Sequence, residues 1–112
     1  EEVYTRPAST FVASFIGSPP MNLLKQAPGG KPGALLGIRP EHLDMADSGW
    51  ELQVETVELL GAERLVHARL GDESVIIRTH EDQGAPAIGS TIRAQPREDR
   101  LHWFDAETGK RK

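Results

Sequence analysis

Near the start of the chain, apolar side chains recur with the period of an α-helix. Five of them fall at i, i+3, i+4, i+7 and i+8 and form one stripe: Ala8, Phe11, Val12, Phe15 and Ile16. Pro7 suits a first helical turn with Thr5 as the candidate N-cap, and Gly17 followed by Pro19 and Pro20 ends the pattern. We therefore predict one short helix. Its stripe packs either on this chain's own sheet or on a neighbouring domain, because so short a helix is not stable alone.

From Met21 onward, apolar and polar positions alternate over short segments that turn signals separate. Strands are predicted at residues 23–24, 35–38, 50–60, 65–70, 74–79, 91–94 and 101–104. The stretch after Pro40 is predicted to run into a polar turn. Gly71 and Asp72 suit a tight hairpin turn, and Gly109 suits a turn position of positive φ. Short strands at this spacing predict a small closed or partly open barrel.

The longest predicted strand, residues 50–60, contains a change of phase. Leu52 and Val54 share one face, whereas Val57 and Leu59 fall on the opposite parity. A slip of one residue near positions 55 and 56 predicts a β-bulge, which bends a strand around a small barrel.

Composition narrows the class of protein. The 112 residues suffice for one domain, and 11 Gly with 8 Pro suit a turn-rich β domain better than a helical bundle. The chain has no cysteine, which excludes disulfides and thiolate metal sites. The net charge of −4 argues against a nucleic-acid-binding module, and the basic run at residues 110–112 is predicted to be a solvated tail.

The sequence contains no recognisable catalytic motif. The phosphate-binding pattern GxxxxGK(S/T) is missing, and the cluster Gly29-Gly30-Lys31 is predicted to be a flexible turn. The 4 histidines are scattered without metal-ligand spacing, and no set of Ser, His and Asp indicates a nucleophile. We expect no enzyme activity, no metal and no cofactor in this chain itself.

Four segments together resemble one protein family. PASTFVASFIGSPPMNLL at residues 7–24 and GIRPEHL at 37–43 are followed by ETVELLGAERLVHARLGDESVIIRTHE at 55–81 and LHWFDAETGKR at 101–111. In this order they resemble the junction and the C-terminal regulatory domain in ATP-binding subunits of sugar-type ABC importers, closest to the branch for glycerol-3-phosphate import. The stretch at residues 25–36 is shorter than the resemblance implies.

The resemblance implies a fold, a domain organisation and a location. Residues 1–20 would be the linker and junction helix from an absent nucleotide-binding domain, and residues 21–112 an OB-like regulatory domain. The expected fold class is mainly β: a small OB-like barrel, the transport-associated OB domain, preceded by a short N-terminal helix. ATP and Mg would belong to the absent domain. The expected location is cytoplasmic, peripheral to the inner membrane within a transporter complex.

The implied role is regulation and dimerisation without catalysis. The implied partners are a second copy, the nucleotide-binding domain, the transmembrane permease subunits and, in some members, a cytoplasmic regulatory protein. An unclosed barrel would expose a strand edge to a second copy. The alternative is a stand-alone module for a small anion or metabolite, with Ser90 and Thr91 as the only loose candidates. A nucleic-acid-binding OB module is opposed by the charge and by the low aromatic content of 5%.

The candidate residues for contact with a neighbouring domain or subunit are Arg39, Glu41, His42, Trp103 and Phe104. Arg39 can form a forked pair with a carboxylate, and the adjacent proline fixes the turn that directs it. The residue types favour an internal ion pair, with a contact to the ATPase domain or the twin subunit as the second interpretation. Trp103 and Phe104 alternate, so one is predicted to face the core and the other outward as an interface anchor.

Overall fold

The computed structural model describes residues 6–15 and 19–112, and two antiparallel sheets form most of it. The first sheet has the order β1-β2-β8, with strands β1 (Asn22–Leu24), β2 (Ala34–Ile38) and β8 (His102–Asp105). The second has the order β3-β7-β4-β5-β6. Its strands are β3 (Leu43–Ala46), β4 (Trp50–Leu60), β5 (Glu63–Leu70), β6 (Glu73–His80) and β7 (Thr91–Pro96). One short helix, α1 (Thr10–Phe15), and 3-10 turns at Pro40–His42, Glu81–Gln83 and Glu98–Arg100 complete the described elements.

The two sheets pack on one apolar core. β1 and β2 contribute Leu24, Leu36 and Ile38, all nearly inaccessible to solvent. The second sheet contributes Leu43, Trp50, Leu52, Val54, Val66, Ala68, Val75, Ile77 and Ala94. The predicted mainly β, OB-like fold is confirmed. The barrel is partly open, because strand pairing among the described residues does not join the two sheets.

The predicted bulge in the longest strand is present. In the β4–β5 pair the register shifts between Val54, which pairs with Ala68, and Thr56, which pairs with His67. Val54 is buried before the shift, whereas Leu59 is 70% exposed after it. Val57, after the shift, still packs against the core, so the arm of β4 that extends beyond the core begins only after Val57.

One strand was not predicted. Residues 43–46, expected to lead into a polar turn, form β3 and pair with β7 from Leu43 to Ala46. Four residues carry too little alternation to indicate a strand by themselves, and the pairing partner lies about fifty positions away. Asp44 reinforces this pair, since its carboxylate accepts hydrogen bonds from Arg97 Nε at 3.0 Å and Arg97 Nη2 at 3.1 Å.

The helix is present, but the stripe predicted for it is wrong at Ala8 and Phe11. α1 begins at Thr10, after an isolated bridge between Ser9 and Lys110, so Ala8 precedes the helix and is exposed. Phe11 is 68% exposed, whereas Ala13, outside the predicted stripe, is fully buried. Thr5, Ile16 and Gly17 lie outside the described residues.

α1 packs on this chain's own sheet. Ala13 forms a small apolar cluster with Met21 and Phe104. A backbone hydrogen bond also holds the start of the helix against this chain: Thr10 N donates to Gly109 O at 2.8 Å. The burial of Ala13 therefore supports the interpretation in which the helix packs on the chain's own sheet.

A glycine in β2 allows this second cluster to approach the sheet. A Cβ at Gly37 would lie 2.5 Å from Met21 Sδ and 2.8 Å from Phe104 Cε2, closer than real Cβ contacts. The glycine of the GIRPEHL segment is thus required for packing, not for an unusual backbone angle.

A side-chain amide connects the two sheets. Asn22 Nδ2 donates to Ile76 O at 2.8 Å, and Ile76 N donates to Asn22 Oδ1 at 2.8 Å. The amide of Asn22, on β1, therefore makes the same two hydrogen bonds to the edge strand β6 that a neighbouring strand would make. We call this pair of hydrogen bonds the amide bridge.

We expect Asn22→Ala to destabilise the fold by about 2 kcal/mol or more, because it removes both bonds and leaves two backbone groups of Ile76 without their partner. Urea unfolding measures this loss. Gln95→Ala is the matched control: it removes an exposed amide bonded to Ser48 Oγ at 2.8 Å and should cost at most about 0.5 kcal/mol. Equal losses in the two variants would contradict a special role for the bridge.

Candidate functional site

A cationic cavity of about 400 Å³ lies where the GIRPEHL segment, the approach to β8 and the two ends of the described chain meet. We call it the arginine pocket. Its lining consists of Arg6, Arg39, His42, Asp99, Arg100, Leu101, His102 and Arg111. Among the described residues, four arginines and one aspartate line it, although the chain as a whole has a net charge of −4.

The end of β2 and the turn after it position Arg39 and His42. Arg39 is extended, with φ −68° and ψ 146°, and Pro40 starts the 3-10 turn, which His42 N closes on Arg39 O at 3.0 Å. Arg97 N donates to His42 O at 2.9 Å and so holds the turn against the segment that leads to Asp99 and Arg100. Arg39 itself is only 1% exposed.

The last residues of the chain position Arg111. They pair with β8 through a bridge between Phe104 and Arg111. The Arg111 guanidinium donates from Nε to Pro7 O at 2.8 Å, contacts His102 Nδ1 from Nη2 at 2.9 Å, and lies 5.4 Å from the centre of the Phe104 ring. Because a guanidinium only donates, His102 Nδ1 is the acceptor, and the proton of the neutral ring is on Nε2.

The pocket holds its two histidines neutral. Burial, and after it the charges of Arg111 and Arg39, lower the pKa of His102 to about 4. The pKa of His42 is also lowered, first by burial; Glu41 opposes the shift and Arg100 adds to it. Burial is thus the main cause of the lowered pKa at both rings, and nearby arginines add to it.

Three arginines of the pocket, Arg6, Arg100 and Arg111, form no ion pair with a described residue. Burial and the neighbouring charge of Arg6 lower the pKa of Arg111. Within residues 6–15 and 19–112, no carboxylate lies within 4.0 Å of the guanidinium nitrogens of Arg6, Arg100 or Arg111. The described part of this lining complements an anionic group, and it contains no nucleophile and no metal-ligand set.

The structure places two of the five predicted candidates in this pocket. Arg39 and His42 line it, and Glu41 acts on it through its charge. Phe104 is fully buried beneath the Arg111 guanidinium. Trp103 is half-buried against the main core, beside Lys31 and Lys112. Phe104 therefore faces the interior, as predicted for one of the two rings, whereas Trp103 is partly exposed and packs on the other apolar cluster. Its role as an interface anchor stays a prediction.

The sequence did not indicate the other pocket residues, which are Arg6, Asp99, Arg100, Leu101, His102 and Arg111. The terminal basic run was expected to be a solvated tail, which is wrong for Arg111. The turn at residues 105–110 reverses the chain, so that the next residue returns beside Phe104. The glycine at position 109, with φ 76°, was a signal for this reversal. Ser90 donates to Ala87 O and lies outside the pocket.

The described part of the chain contains no group of three or more His, Asp or Glu side chains that could hold a metal ion. Among its helices, none is long and apolar enough to cross a membrane.

Comparison with known proteins gives a family and several relatives. Residues 36–104 match the TOBE domain family. The chain is 44% identical to the sn-glycerol-3-phosphate import ATP-binding protein UgpC of Salmonella typhi, 41% to that of Bordetella pertussis and 40% to that of Shigella boydii serotype 4. Each comparison covers 98% of this chain and 38% of the relative.

The chain therefore spans about 38% of the length of these relatives. The alignment with the Salmonella typhi protein runs over 136 positions, more than the 112 residues of this chain, so the relative carries additional residues inside the matched region. Here residues 25–33 connect β1 to β2, which pair from Asn22↔Ile38 to Leu24↔Leu36.

Acidification should destabilise the fold through His102. Its folded pKa, about 4, lies below the ordinary histidine value of 6.5, so the unfolded chain takes up the proton first. The stability that the neutral ring contributes is complete above about pH 6.5 and is lost as the pH falls through about 4.

We expect His102→Asn, whose amide oxygen can still accept from Arg111, to lose less stability than the parent between about pH 7.5 and about pH 4.5. Urea unfolding at both pH values measures the difference. His80→Asn, at an exposed histidine, is the matched control. A loss in His102→Asn as large as in the parent would rule out this source of acid sensitivity.

Proposed function

The chain belongs to the TOBE domain family, and on that premise we propose that it is the regulatory domain of the ATP-binding subunit of an ABC importer for sn-glycerol-3-phosphate or a similar solute. One observation carries the proposal: identity of 44% over 98% of the chain to an sn-glycerol-3-phosphate import ATP-binding protein. This chain corresponds to 38% of that protein. Its own sequence contains no phosphate-binding loop motif.

The proposed function assigns a separate role to each of two parts of the chain. Residues 1–20 form the junction to a nucleotide-binding domain, which supplies the ATP and Mg sites, and residues 21–112 form the regulatory domain. The contact of Ala13 with Met21 and Phe104 supports a junction that is packed onto the regulatory domain instead of being a free linker.

The proposed partners are a second copy of the subunit, the nucleotide-binding domain, the transmembrane permease subunits and a cytoplasmic regulatory protein. The complex would be peripheral to the cytoplasmic face of the inner membrane. Support for the second copy comes from the partly open barrel, whose edge strands keep backbone groups that another chain can pair with.

A chimeric subunit tests the proposed function. In the UgpC protein of Salmonella typhi, this chain replaces the segment that it matches, and the chimera is expressed in cells that lack their own UgpC. We expect sn-glycerol-3-phosphate uptake at a rate comparable with the parent, because the replaced domain is 44% identical. A subunit without the segment is the negative control. A chimera that accumulates at the membrane to the parental level and supports no uptake would contradict the proposal.

The second copy is tested separately by sedimentation of the chain over a range of concentrations. We expect a reversible dimer, because an unclosed barrel gains backbone hydrogen bonds by pairing at its edge. The bound and free states should interconvert on dilution. A chain that stays monomeric at every concentration would remove dimerisation from the proposal and leave the uptake experiment unaffected.

A further inference from the structure

We propose that a second cavity, which lies between the two sheets and is called here the tryptophan cleft, binds a small quaternary ammonium cation. The cleft has a volume of about 360 Å³. Its described lining consists of Pro28, Gly29, Leu36, Gly49, Trp50, Pro96, Glu98, Leu101 and Trp103. The inference comes from these residues and does not depend on the proposed transport role.

Each sheet contributes a tryptophan to the cleft. Trp103 on β8 pairs with Leu36 on β2 in the first sheet, and Trp50 begins β4 in the second. Trp50 belongs to the main core, whereas Trp103 is half-buried against that core and keeps part of its surface accessible. The face of an indole ring attracts a cation more strongly than the face of any other aromatic side chain. Two tryptophans in one cleft therefore favour a positively charged ligand.

The charge of the lining favours the same kind of ligand. Glu98 is the one charged residue among the described residues that line the cleft. It is exposed, and it takes part in no ion pair with another described residue. Lys31 and Lys112 share a separate cavity with Trp103, but both are exposed, so solvent and salt screen their charge. A cation in the cleft would thus gain a carboxylate partner.

The scarcity of hydrogen-bond acceptors favours a quaternary ammonium over a primary one. A primary ammonium brings three N–H donors, and a donor that is buried without an acceptor is costly. Among the described side chains of the lining, only Glu98 offers an acceptor, since the others are apolar or carry an indole. A quaternary ammonium has no N–H donor and presents apolar methyl groups, so it brings its charge into the cleft without this cost.

Hydrogen bonds on both rims form the cleft before a ligand arrives. The turn that carries Glu98 is closed by Arg100 N, which donates to Arg97 O at 2.9 Å. On the other rim, Gly30 N donates to Ala27 O at 3.0 Å and closes the turn at residues 28–29. A preformed site loses less free energy to ordering on binding. The volume of the cleft is at the lower end for small-molecule sites, which suits a compact cation.

Titration of the purified chain with choline tests the proposal. The chain has 2 tryptophans, and both line the cleft, so the tryptophan emission reports on binding directly. Calorimetry gives the stoichiometry. We expect saturable binding with one site per chain and a change of emission that follows the same curve. Sodium chloride at equal ionic strength is the control for salt effects and should leave the emission unchanged.

Two analogues of choline identify the chemistry that is recognised. The neutral analogue carries a tert-butyl group in place of the trimethylammonium group, so it keeps the shape and lacks the charge. Ethanolamine keeps the charge and replaces the methyl groups with N–H donors. We expect each analogue to bind about tenfold more weakly than choline or worse, because the first loses the attraction to the indole rings and the second leaves donors unpaired.

Two glutamate variants with the same change in net charge locate the site. Glu98→Gln removes the carboxylate of the cleft, and we expect the dissociation constant of choline to rise about two- to fivefold, the range for an exposed charge pair. Glu107→Gln changes an exposed residue outside the lining of the cleft and should leave the affinity unchanged.

A third variant tests the aromatic wall. Trp103→Leu keeps an apolar side chain and removes the indole face, so we expect the dissociation constant to rise about tenfold or more. Its urea unfolding curve shows whether the variant is folded. If it is not folded, the two glutamate variants still decide whether the cleft is the site.

The proposal is overturned by any of three results. The first is the absence of saturable choline binding beyond the effect of sodium chloride. The second is binding of either analogue as tight as that of choline, which would remove the quaternary ammonium group as the recognised chemistry. The third is an equal loss of affinity in Glu98→Gln and Glu107→Gln, which would indicate attraction by net charge without a site.

Discussion

Side-chain hydrogen bonds carry the connection between the two sheets where strand pairing does not. The amide of Asn22 completes the edge of β6 at Ile76. Close by, the Glu73 carboxylate at the start of β6 accepts from Lys25 N at 2.9 Å and Gln26 N at 2.7 Å. These bonds anchor β1 and the loop after it to the second sheet. β1 is only three residues long, and among the described strands it pairs with β2 alone. These side-chain hydrogen bonds therefore supply its polar contacts with the second sheet.

The arginine pocket depends on the same connection. β2 leaves the core at Ile38, and the next side chain, Arg39, is buried where the first sheet meets the turn before β3. A buried guanidinium is costly unless polar or charged groups surround it. The position of Arg39 is therefore fixed by the joining of the sheets, and the pocket around it is a consequence of how the barrel is assembled.

The sequence indicated what short-range patterns control. Alternation and turn residues predicted most of the strands, and the change of phase in residues 50–60 predicted the bulge, because both depend on neighbours along one segment. β3 and the buried face of α1 were missed, since β7 determines the first and Met21 with Phe104 the second. The pocket was missed for a related reason. Net charge averages over the chain, whereas the fold brings Arg6, Arg39 and Arg111 to one place.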